Sequence, residues 1–350
     1  MSTESIIKKL PKVEQHIHIV GSINPETFLW LIEQSDRNLP YSSIEELKEF
    51  YRYEDFLHFI DIYSTVNDTI DDERYYERIT YEMLENCSLC NVKHVEAIFS
   101  AYDHIRRGLD YSKMLENINR GIRKAKNDYG ISCSIRVDLV RNYGPEVGMK
   151  VLDLIEEKAE NIVAIDTGGS EFGYPPGPYE ACYERARDLG LHTVAHQGEA
   201  AGVDYVWECL RTLKPERIGH GVAASKDIEL MKEISLREIS IETCPISNVC
   251  TGAVSSLKNH PIKEFIANGI KVSVNTDDPP MFGTNMNNEY VQLHKKLGFT
   301  VQDLFKISLD SLETSFIPEK VKQDMNREFI QEFNSLISLF KGKIIREASL

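Results

Sequence analysis

The chain has 350 residues and a formal net charge of −15, which argues against nucleic-acid or anionic-membrane partners because both require basic patches. The N-terminus lacks the apolar segment of a signal peptide, and no apolar run approaches the ~18 residues of a membrane helix. The seven cysteines are scattered, so we expect a reduced, cytoplasmic protein. The oligomeric state stays open.

Apolar, β-branched segments of strand length recur along the chain. They lie near 12–19, 92–100, 132–140, 161–167, 192–198, 217–222, 238–244 and 271–277. Amphipathic helical patterns follow most of them, at 145–157, 178–189, 203–213, 225–234 and 261–268. Eight strand–helix alternations predict an α/β protein of the TIM-type (β/α)8 barrel class, in which the C-terminal ends of the strands carry the chemistry.

Two regions depart from a minimal barrel. Residues 25–91 are rich in aromatic and charged side chains and predict a helical insertion, or lid, after the first strand. Residues 301–350 predict additional C-terminal helices, two or three of them between 301 and 340. We find no linker that would divide the chain, so 1–350 is expected to form a single barrel domain.

Two histidines stand one residue apart in the first predicted strand, as His16 and His18. Side chains alternate across a strand, so both are expected on the same face. Such a pair supplies half of a metal site, although two histidines on one strand are more often ordinary core residues. The choice between these interpretations depends on what the other strand ends carry.

Further metal-ligating side chains stand at the ends of later strands. His196 and Glu199 end the fifth predicted strand, His220 ends the sixth, and Asp277 and Asp278 end the eighth. These ends meet at one rim of a barrel. Three histidines and a carboxylate suit zinc or a similar divalent ion, which lowers the pKa of water from ~15.7 towards 7. A metal-dependent hydrolytic site is therefore predicted at this rim.

Five motifs resemble those of the adenosine deaminase family of metal-dependent amidohydrolases, and they occur in the order that this family shows. They are Leu10–His18 (similar to PKxELHxH), His196–Glu199 (HAGE, with Gln197 for Ala), Arg217–Gly221 (RIGHG), Cys244–Asn248 (CPxSN) and Ser273–Pro279 (ending in NTDDP). Each motif alone is weak evidence. Their combination over most of the chain is specific.

The resemblance implies a role for each of these residues. The implied ligands of one zinc ion per chain are His16, His18, His196 and Asp277. Glu199 would protonate N1 of a purine, so its carboxyl has to be protonated and its pKa raised by burial. His220 and Asp278 would hold the attacking water and take its proton, after which ammonia leaves from C6.

The resemblance also implies substrate contacts. Gly169 matches the glycine whose backbone N–H contacts the purine N3, and His18 and Asp278 are further implied contacts. Phe56 and Phe59 resemble the apolar helix that closes over a nucleoside, but they are equally consistent with the core of the insertion.

The favoured reaction is hydrolytic deamination of a 6-aminopurine nucleoside of the adenosine type. Val20 stands where adenosine enzymes of the family carry an Asp that contacts the 5′-hydroxyl, so losing that hydroxyl is expected to matter little. This residue fits free adenine or a 5′-modified nucleoside such as 6-aminodeoxyfutalosine. Ser170–Pro176 resembles a stretch of adenine deaminases, whereas Thr251–Val254 resembles a segment of nucleoside enzymes. The small-molecule purine is therefore left open.

Two other functional classes are less favoured. A different metal-dependent amidohydrolase with two metal ions would need a bridging Lys carboxylate, and the predicted strands at 132–140 and 161–167 contain no lysine. A catalytically silent binding protein is expected to have lost one of the three reactive groups. All three are present, as Glu199, His220 and Asp278.

Overall fold

The computed structural model describes residues 2–35, 37, 39–53 and 56–347, with the side chains of 56, 57 and 340–347 outside the description. Eight strands form its centre: β1 (Lys12–His18), β2 (Val92–Phe99), β3 (Ser132–Asp138), β4 (Ile162–Asp166), β5 (His192–Gln197), β6 (Arg217–His220), β7 (Ser240–Thr243) and β8 (Val272–Val274). Each strand pairs in parallel with the next one in the chain. The predicted TIM-type barrel is therefore confirmed.

The barrel closes between its first and last strands. The N–H of Asp277 donates to the carbonyl of His16, and the N–H of His18 donates to the carbonyl of Asp277, each over 3.0 Å. This closing contact also brings the two histidines of β1 beside the aspartates that follow β8. The circular order of the strands therefore fixes which predicted site residues are neighbours.

The predicted strand limits were one to three residues too long at the C-terminal ends. The largest difference is at β8, which was predicted to reach residue 277. His220 and Asp277 have φ angles of 62° and 63°, in the left-handed region, so the backbone has left the extended conformation at the rim. The change of backbone conformation at these residues marks where the strands give way to the loops of the rim.

Helices surround this barrel. In the described part of the chain they are α1 (Thr3–Lys9), α2 (Pro25–Gln34), α3 (Ile44–Phe50), α4 (Phe56–Asp68), α5 (Tyr75–Leu89), α6 (Ala101–Ile105), α7 (Tyr111–Tyr129), α8 (Pro145–Glu157), α9 (Glu180–Asp188), α10 (Val203–Thr212), α11 (Ile228–Leu236), α12 (Pro245–Cys250), α13 (Ile262–Ala267), α14 (Met286–Leu297), α15 (Val301–Thr314) and α16 (Glu319–Glu347). The limits of α8 are those predicted, with Pro145 at the first turn, where its missing N–H is harmless.

Two predicted helix starts were wrong by a few residues. The helix predicted from residue 225 begins at Ile228, because the Asp227 side chain accepts hydrogen bonds from the N–H groups of Glu229 and Leu230 and caps the helix there. The helix predicted from residue 178 begins at Glu180, after a short 3₁₀ turn. In both cases the true α-helix follows a tighter turn that shares the same apolar pattern.

The predicted insertion contains α2 to α5, and one of these helices reaches the rim. The ring of Phe59, in α4, stacks on Phe282 with 4.8 Å between centroids. The N–H of Phe282 donates to the carbonyl of Asp278 over 3.0 Å, one turn earlier in the chain. Because Asp278 belongs to the predicted site, α4 covers the side of the rim where β8 ends.

The opposite end of the barrel is closed by α15, one of the predicted C-terminal helices. The Gln15 side chain donates to the Ser311 carbonyl over 2.7 Å, and Arg217 donates to the Thr314 carbonyl over 2.8 Å. The Phe316 ring lies 3.8 Å from the Arg217 guanidinium. Within the described residues, none of the helices has the length and apolar character needed to cross a bilayer.

Candidate active site

Three histidines and one aspartate converge at the rim. They are His16 and His18 in β1, His196 in β5 and Asp277 after β8, and one ligand atom from each lies within 4.8 Å of the others. Nε2 of His18 lies 3.3 Å from Nε2 of His196 and 3.2 Å from Oδ1 of Asp277. Imidazole lone pairs and a carboxylate that face one another this closely require a proton or a cation between them. The four predicted ligands are thus neighbours.

Buried carboxylates orient two of these histidines. Nδ1 of His16 lies 2.8 Å from Oε2 of Glu242, and Nδ1 of His196 lies 3.0 Å from Oδ2 of Asp166. A carboxylate that accepts the Nδ1–H leaves the Nε2 lone pair directed to the centre of the cluster, as a metal ligand requires. The Ser247 hydroxyl similarly donates to Oδ2 of Asp277 over 2.7 Å.

The charge of the cluster favours a bound cation. Burial opposes a charge on His16, but the carboxylates of Asp277 and Glu242 outweigh it and raise the pKa of His16 to about 10. Nε2 of His16 is buried and makes no well-aligned hydrogen bond within the described residues. A divalent cation would balance these carboxylates in place of the proton on His16 and would bind Nε2. The residues present therefore fit a metal of the zinc class.

Ion pairs fill the barrel interior below the cluster. Arg136 lies 2.9 Å from Asp166 and 2.6 Å from Glu242, and Arg217 pairs with Glu242 over 2.8 Å and with Glu96. All five side chains are almost fully buried, where an unpaired charge would be costly. The two arginines therefore neutralise the carboxylates that orient the clustered histidines.

The turn after β5 that carries Glu199 is built around another carboxylate. Glu171 is 5% exposed and accepts hydrogen bonds from the Gln197 side chain and from the N–H groups of residues 198–201. One carboxylate thus replaces the missing backbone partners of four successive residues. The backbone of Glu199 is held in place from the loop that follows β4.

The Glu199 carboxyl faces the cluster. Its Oε2 lies 3.7 Å from Nε2 of His220, and its Oε1 accepts from the Thr251 hydroxyl over 3.0 Å. Burial, followed by the negative charge of Asp277, raises the pKa of Glu199. The carboxyl can therefore hold a proton close to neutral pH, which is the property expected of a general acid.

A chain of hydrogen bonds fixes the proton on His220. The Ile262 N–H donates to Nδ1 of His260 over 3.2 Å, so His260 carries its proton on Nε2 and donates to Oδ1 of Asn248, also over 3.2 Å. The Asn248 amide nitrogen then faces Nδ1 of His220 at 3.0 Å. Burial lowers the pKa of His220 to about 4. His220 is thus a neutral imidazole with its N–H on Nε2, directed towards Glu199.

Asp278 lies against the loop after β1. A Cβ on Gly21 would be 1.5 Å from Oδ1 of Asp278, so only glycine allows this approach. Burial and the adjacent Asp277 charge raise the pKa of Asp278. Val20, the residue before this glycine, is 4% exposed and offers no hydrogen-bonding side chain.

The purine-contact candidates differ in their surroundings. Gly169 has a φ of 78°, and a Cβ there would be 2.4 Å from the Asn142 side chain, so a glycine is required. Its N–H donates to no group among the described residues. Phe59 is 6% exposed and packs against Phe282 and Tyr53. The predicted contact by Phe56 lies outside the described side chains.

Sequence reasoning missed the residues that support the site. Asp166 and Glu242 lie in predicted strands, and Arg136 and Arg217 are arginines in similarly apolar segments. A charged residue inside a buried strand requires a partner, so these four positions carried a usable signal. Glu171 gave none, because its role depends on a turn that only the folded chain forms.

The adenosine deaminase family model matches residues 11–332, which is most of the chain. The chain belongs to the adenosine deaminase family. An adenine deaminase of Acinetobacter baylyi is 33% identical over 96% of the chain and all of that protein. The aminodeoxyfutalosine deaminase of Streptomyces coelicolor is 34% identical over 89% of the chain and 82% of its own length. The crystal structure of adenine deaminase from Arthrobacter aurescens is 30% identical, with a TM-score of 0.88 over 94% of the chain and 99% of that chain.

Proposed function

We propose that this member of the family deaminates adenine by hydrolysis, releasing hypoxanthine and ammonia. The observation that carries the proposal is the position of Glu199, whose carboxyl lies 3.7 Å from His220 at the edge of the metal-ligand cluster. An acid beside a group that activates water is the arrangement that hydrolysis of a C–N bond in an aromatic amidine requires.

Glu199 supplies the proton in this proposal. Its raised pKa keeps the carboxyl protonated close to neutral pH, so it can donate to N1 of the purine. Protonation at N1 weakens the aromatic character of the ring and makes C6 a better electrophile. The Thr251 hydroxyl fixes the orientation of Oε1 and leaves Oε2 on the side of the cluster.

His220 and Asp278 have separate tasks. The neutral His220 directs an N–H from Nε2, so it holds the attacking oxygen as a hydrogen-bond donor and cannot take a proton there. Asp278 is the other carboxyl beside the cluster, and it accepts the proton of the attacking water in its ionised form, which a bound dication favours against the effect of burial and of Asp277. The same proton is then available for the departing ammonia.

The proposed metal is one zinc ion per chain, held by His16, His18, His196 and Asp277. When bound, it supplies Lewis-acid activation of water at neutral pH. Elemental analysis of purified protein is expected to give about one equivalent of a divalent ion per chain. The His16→Ala/His18→Ala double variant should lose it, and equal metal content in both proteins would contradict the assignment.

Adenine is favoured over a nucleoside as substrate. Val20 removes the sugar contact expected for adenosine, and relatives at 33% and 30% identity are named adenine deaminases. The earlier expectation of an adenosine-type nucleoside receives no comparable support. A 5′-modified nucleoside is the second candidate, because the Streptomyces coelicolor relative is named an aminodeoxyfutalosine deaminase.

The test is ammonia release from a panel of 6-aminopurines. Metal-loaded protein is incubated with adenine, adenosine, 5′-deoxyadenosine, methylthioadenosine and 6-aminodeoxyfutalosine, with the Glu199→Gln variant as control. Adenine is expected to have the highest kcat/KM, and the variant is expected to be almost inactive. A preference for any nucleoside of more than about a hundredfold, a gap of ~2.7 kcal/mol, would contradict adenine as the substrate.

A further inference from the structure

Asp138, at the end of β3, has a carboxylate oxygen without a partner. The residue is 2% exposed, and its Oδ2 accepts from the Ser100 hydroxyl over 3.0 Å. Its Oδ1 is buried and makes no hydrogen bond within the described residues. Buried polar atoms are almost always paired, so an unpaired carboxylate oxygen at a barrel rim points to a missing ligand. No role in the proposed chemistry uses this residue.

The carboxylate lies against the loop that precedes the proposed purine contact. A Cβ on Gly168 would be 2.5 Å from Oδ2 and 2.8 Å from Oδ1 of Asp138. Only a glycine at this position lets the Asp138 carboxylate approach the backbone so closely. Gly169, the next residue, has a free N–H among the described residues and is the candidate partner of the purine N3. In the proposed substrate orientation, Asp138 therefore lies next to the N3 edge of the purine.

The order of the strands identifies which purine atom Asp138 would meet. Around the barrel, Glu199 follows β5, Gly169 follows β4, and Asp138 ends β3, while Asp278 follows β8. Around the purine, the atoms run N1, C2, N3, C4, N9, C8 and N7. With N1 at Glu199 and N3 at Gly169, the next nitrogen is N9 and the next strand is β3.

We propose that Oδ1 of Asp138 accepts a hydrogen bond from the N9–H of the free base and so makes this residue a determinant of specificity for adenine. The inference rests on the proposed function, because it uses the same substrate orientation. A nucleoside carries carbon on N9 and has no proton to donate there. It would leave the Asp138 carboxylate buried and unpaired, which is the arrangement that rejects analogues most strongly.

The experiment compares adenine with 9-methyladenine, which keeps the amidine but lacks the N9 proton. In the wild-type holoenzyme, kcat/KM for adenine is expected to exceed that for 9-methyladenine by about a hundredfold or more. Asp138→Ala should lower kcat/KM for adenine about 10–100-fold and leave that for 9-methyladenine unchanged or higher. Asp138→Asn, which keeps the shape and a neutral acceptor, should fall between them and covers the case in which the alanine variant does not fold.

A neighbouring carboxylate provides the matched control. Asp103 accepts from the Tyr143 hydroxyl over 2.7 Å and has no contact with the glycines after β4. Asp103→Asn should leave the ratio of kcat/KM for the two bases unchanged. Asp103→Asn must not lower the ratio of kcat/KM for adenine to kcat/KM for 9-methyladenine as much as Asp138→Asn does. If it does, the negative charge of the rim as a whole explains the effect, and the inference is overturned.

Other outcomes separate this inference from the proposed function. Equal loss of both substrates in Asp138→Ala would overturn the inference and leave adenine deamination standing. Loss confined to adenosine would mean that Asp138 accepts from a sugar hydroxyl, which also overturns it. If no 6-aminopurine is deaminated, the proposed function fails. In that case, calorimetry of adenine and 9-methyladenine binding tests the inference by itself. Asp138→Ala must weaken the binding of adenine and not that of 9-methyladenine for the contact with N9 to be supported.

Discussion

Three reactive side chains at the rim acquire different protonation states from their surroundings. Burial and neighbouring carboxylates raise the pKa values of Glu199 and Asp278, whereas burial lowers that of His220. In the proposed mechanism Glu199 is the protonated acid and His220 the neutral donor, whereas Asp278 has to be ionised to act as the base. A bound dication would lower the pKa values of the nearest carboxylates, so the metal-loaded protein is the form in which these states are to be measured.

The hydrogen bond from Thr251 predicts a pH effect. Its hydroxyl stabilises the ionised form of Glu199, so Thr251→Val should raise the pKa of this acid further. Because the protonated acid is the active form, the alkaline limb of kcat/KM should move to higher pH. We therefore divide kcat/KM at high pH by kcat/KM at neutral pH and expect this ratio to be about tenfold larger in Thr251→Val than in the wild type. The size follows from a hydrogen bond to a charged group, which contributes about 1.5–3 kcal/mol.

Thr212→Val is the control for this prediction. The Thr212 hydroxyl bonds to the carbonyl of Glu208 in its own helix, far from the acid in the fold. Its pH profile should match that of the wild type. A shift of the Thr251→Val profile to lower pH would mean that the threonine does not stabilise the carboxylate of Glu199.

Glu242 is expected to influence metal affinity separately from its contribution to stability. Removing the carboxylate that orients His16 should weaken metal affinity about 10–100-fold. Chelator competition with Glu242→Gln measures this affinity. Glu96→Gln is the matched control, because Glu96 pairs with Arg217 but contacts no ligand histidine. Both variants lose stability because a buried arginine loses one of its carboxylate partners, so an equal loss of metal affinity would assign the effect to folding and not to His16.

At the scale of secondary structure elements, the rim is assembled from segments that are distant in the chain. The loop after β4 holds the turn after β5 through Glu171, and the insertion helix α4 covers the end of β8 through the stacked rings of Phe59 and Phe282. Each of these contacts joins a barrel segment to a loop or lid. The elements outside the barrel therefore help to position the proposed catalytic groups, which they do not themselves contain.

Removing the stacked ring should affect both stability and substrate binding. Phe59→Ala is expected to destabilise the fold by about 3–5 kcal/mol and to raise KM more than it lowers kcat, because the cover over Asp278 loosens. Thermal unfolding and steady-state kinetics measure the two effects. Phe28→Ala removes a fully buried ring of the same insertion that packs with Phe50 and Tyr51. It should cost similar stability with KM unchanged, and an equal rise in KM would contradict the covering role of α4.

The accuracy of the sequence prediction differs between elements for a physical reason. Barrel strands are buried, apolar and periodic, so their number and order were predictable, as was α8 with its N-terminal proline. The C-terminal limits of the strands were less accurate, because residues such as His220 and Asp277 have left-handed backbones that no local sequence pattern indicates. The supporting role of Glu171 could not be predicted for a related reason, because the N–H groups that it accepts from are brought together only when the turn after β5 folds.

At the scale of the whole molecule, the contacts that stabilise the barrel and the groups of the candidate site lie at different ends. The helix α15 closes one end through hydrogen bonds from Gln15 and Arg217, and the ion pairs of the interior lie between this end and the rim. The rim carries a histidine nitrogen, Nε2 of His16, and a carboxylate oxygen, Oδ1 of Asp138, that make no hydrogen bond within the described residues. Left-handed residues occur at both ends of the barrel, so the unpaired groups beside the metal-ligand cluster are what favours the rim as the ligand-binding end.

The central claim is that this site hydrolyses a 6-aminopurine with water as the nucleophile and Glu199 as the acid. The most direct measurement is mass spectrometry of hypoxanthine formed from adenine in heavy-oxygen water, together with ammonia. We expect one labelled oxygen and one ammonia per turnover, and a rate about 10²–10⁴-fold lower for Glu199→Gln with its metal retained. Ammonia without labelled product, or a Glu199→Gln rate within about tenfold of the wild type, would contradict the account.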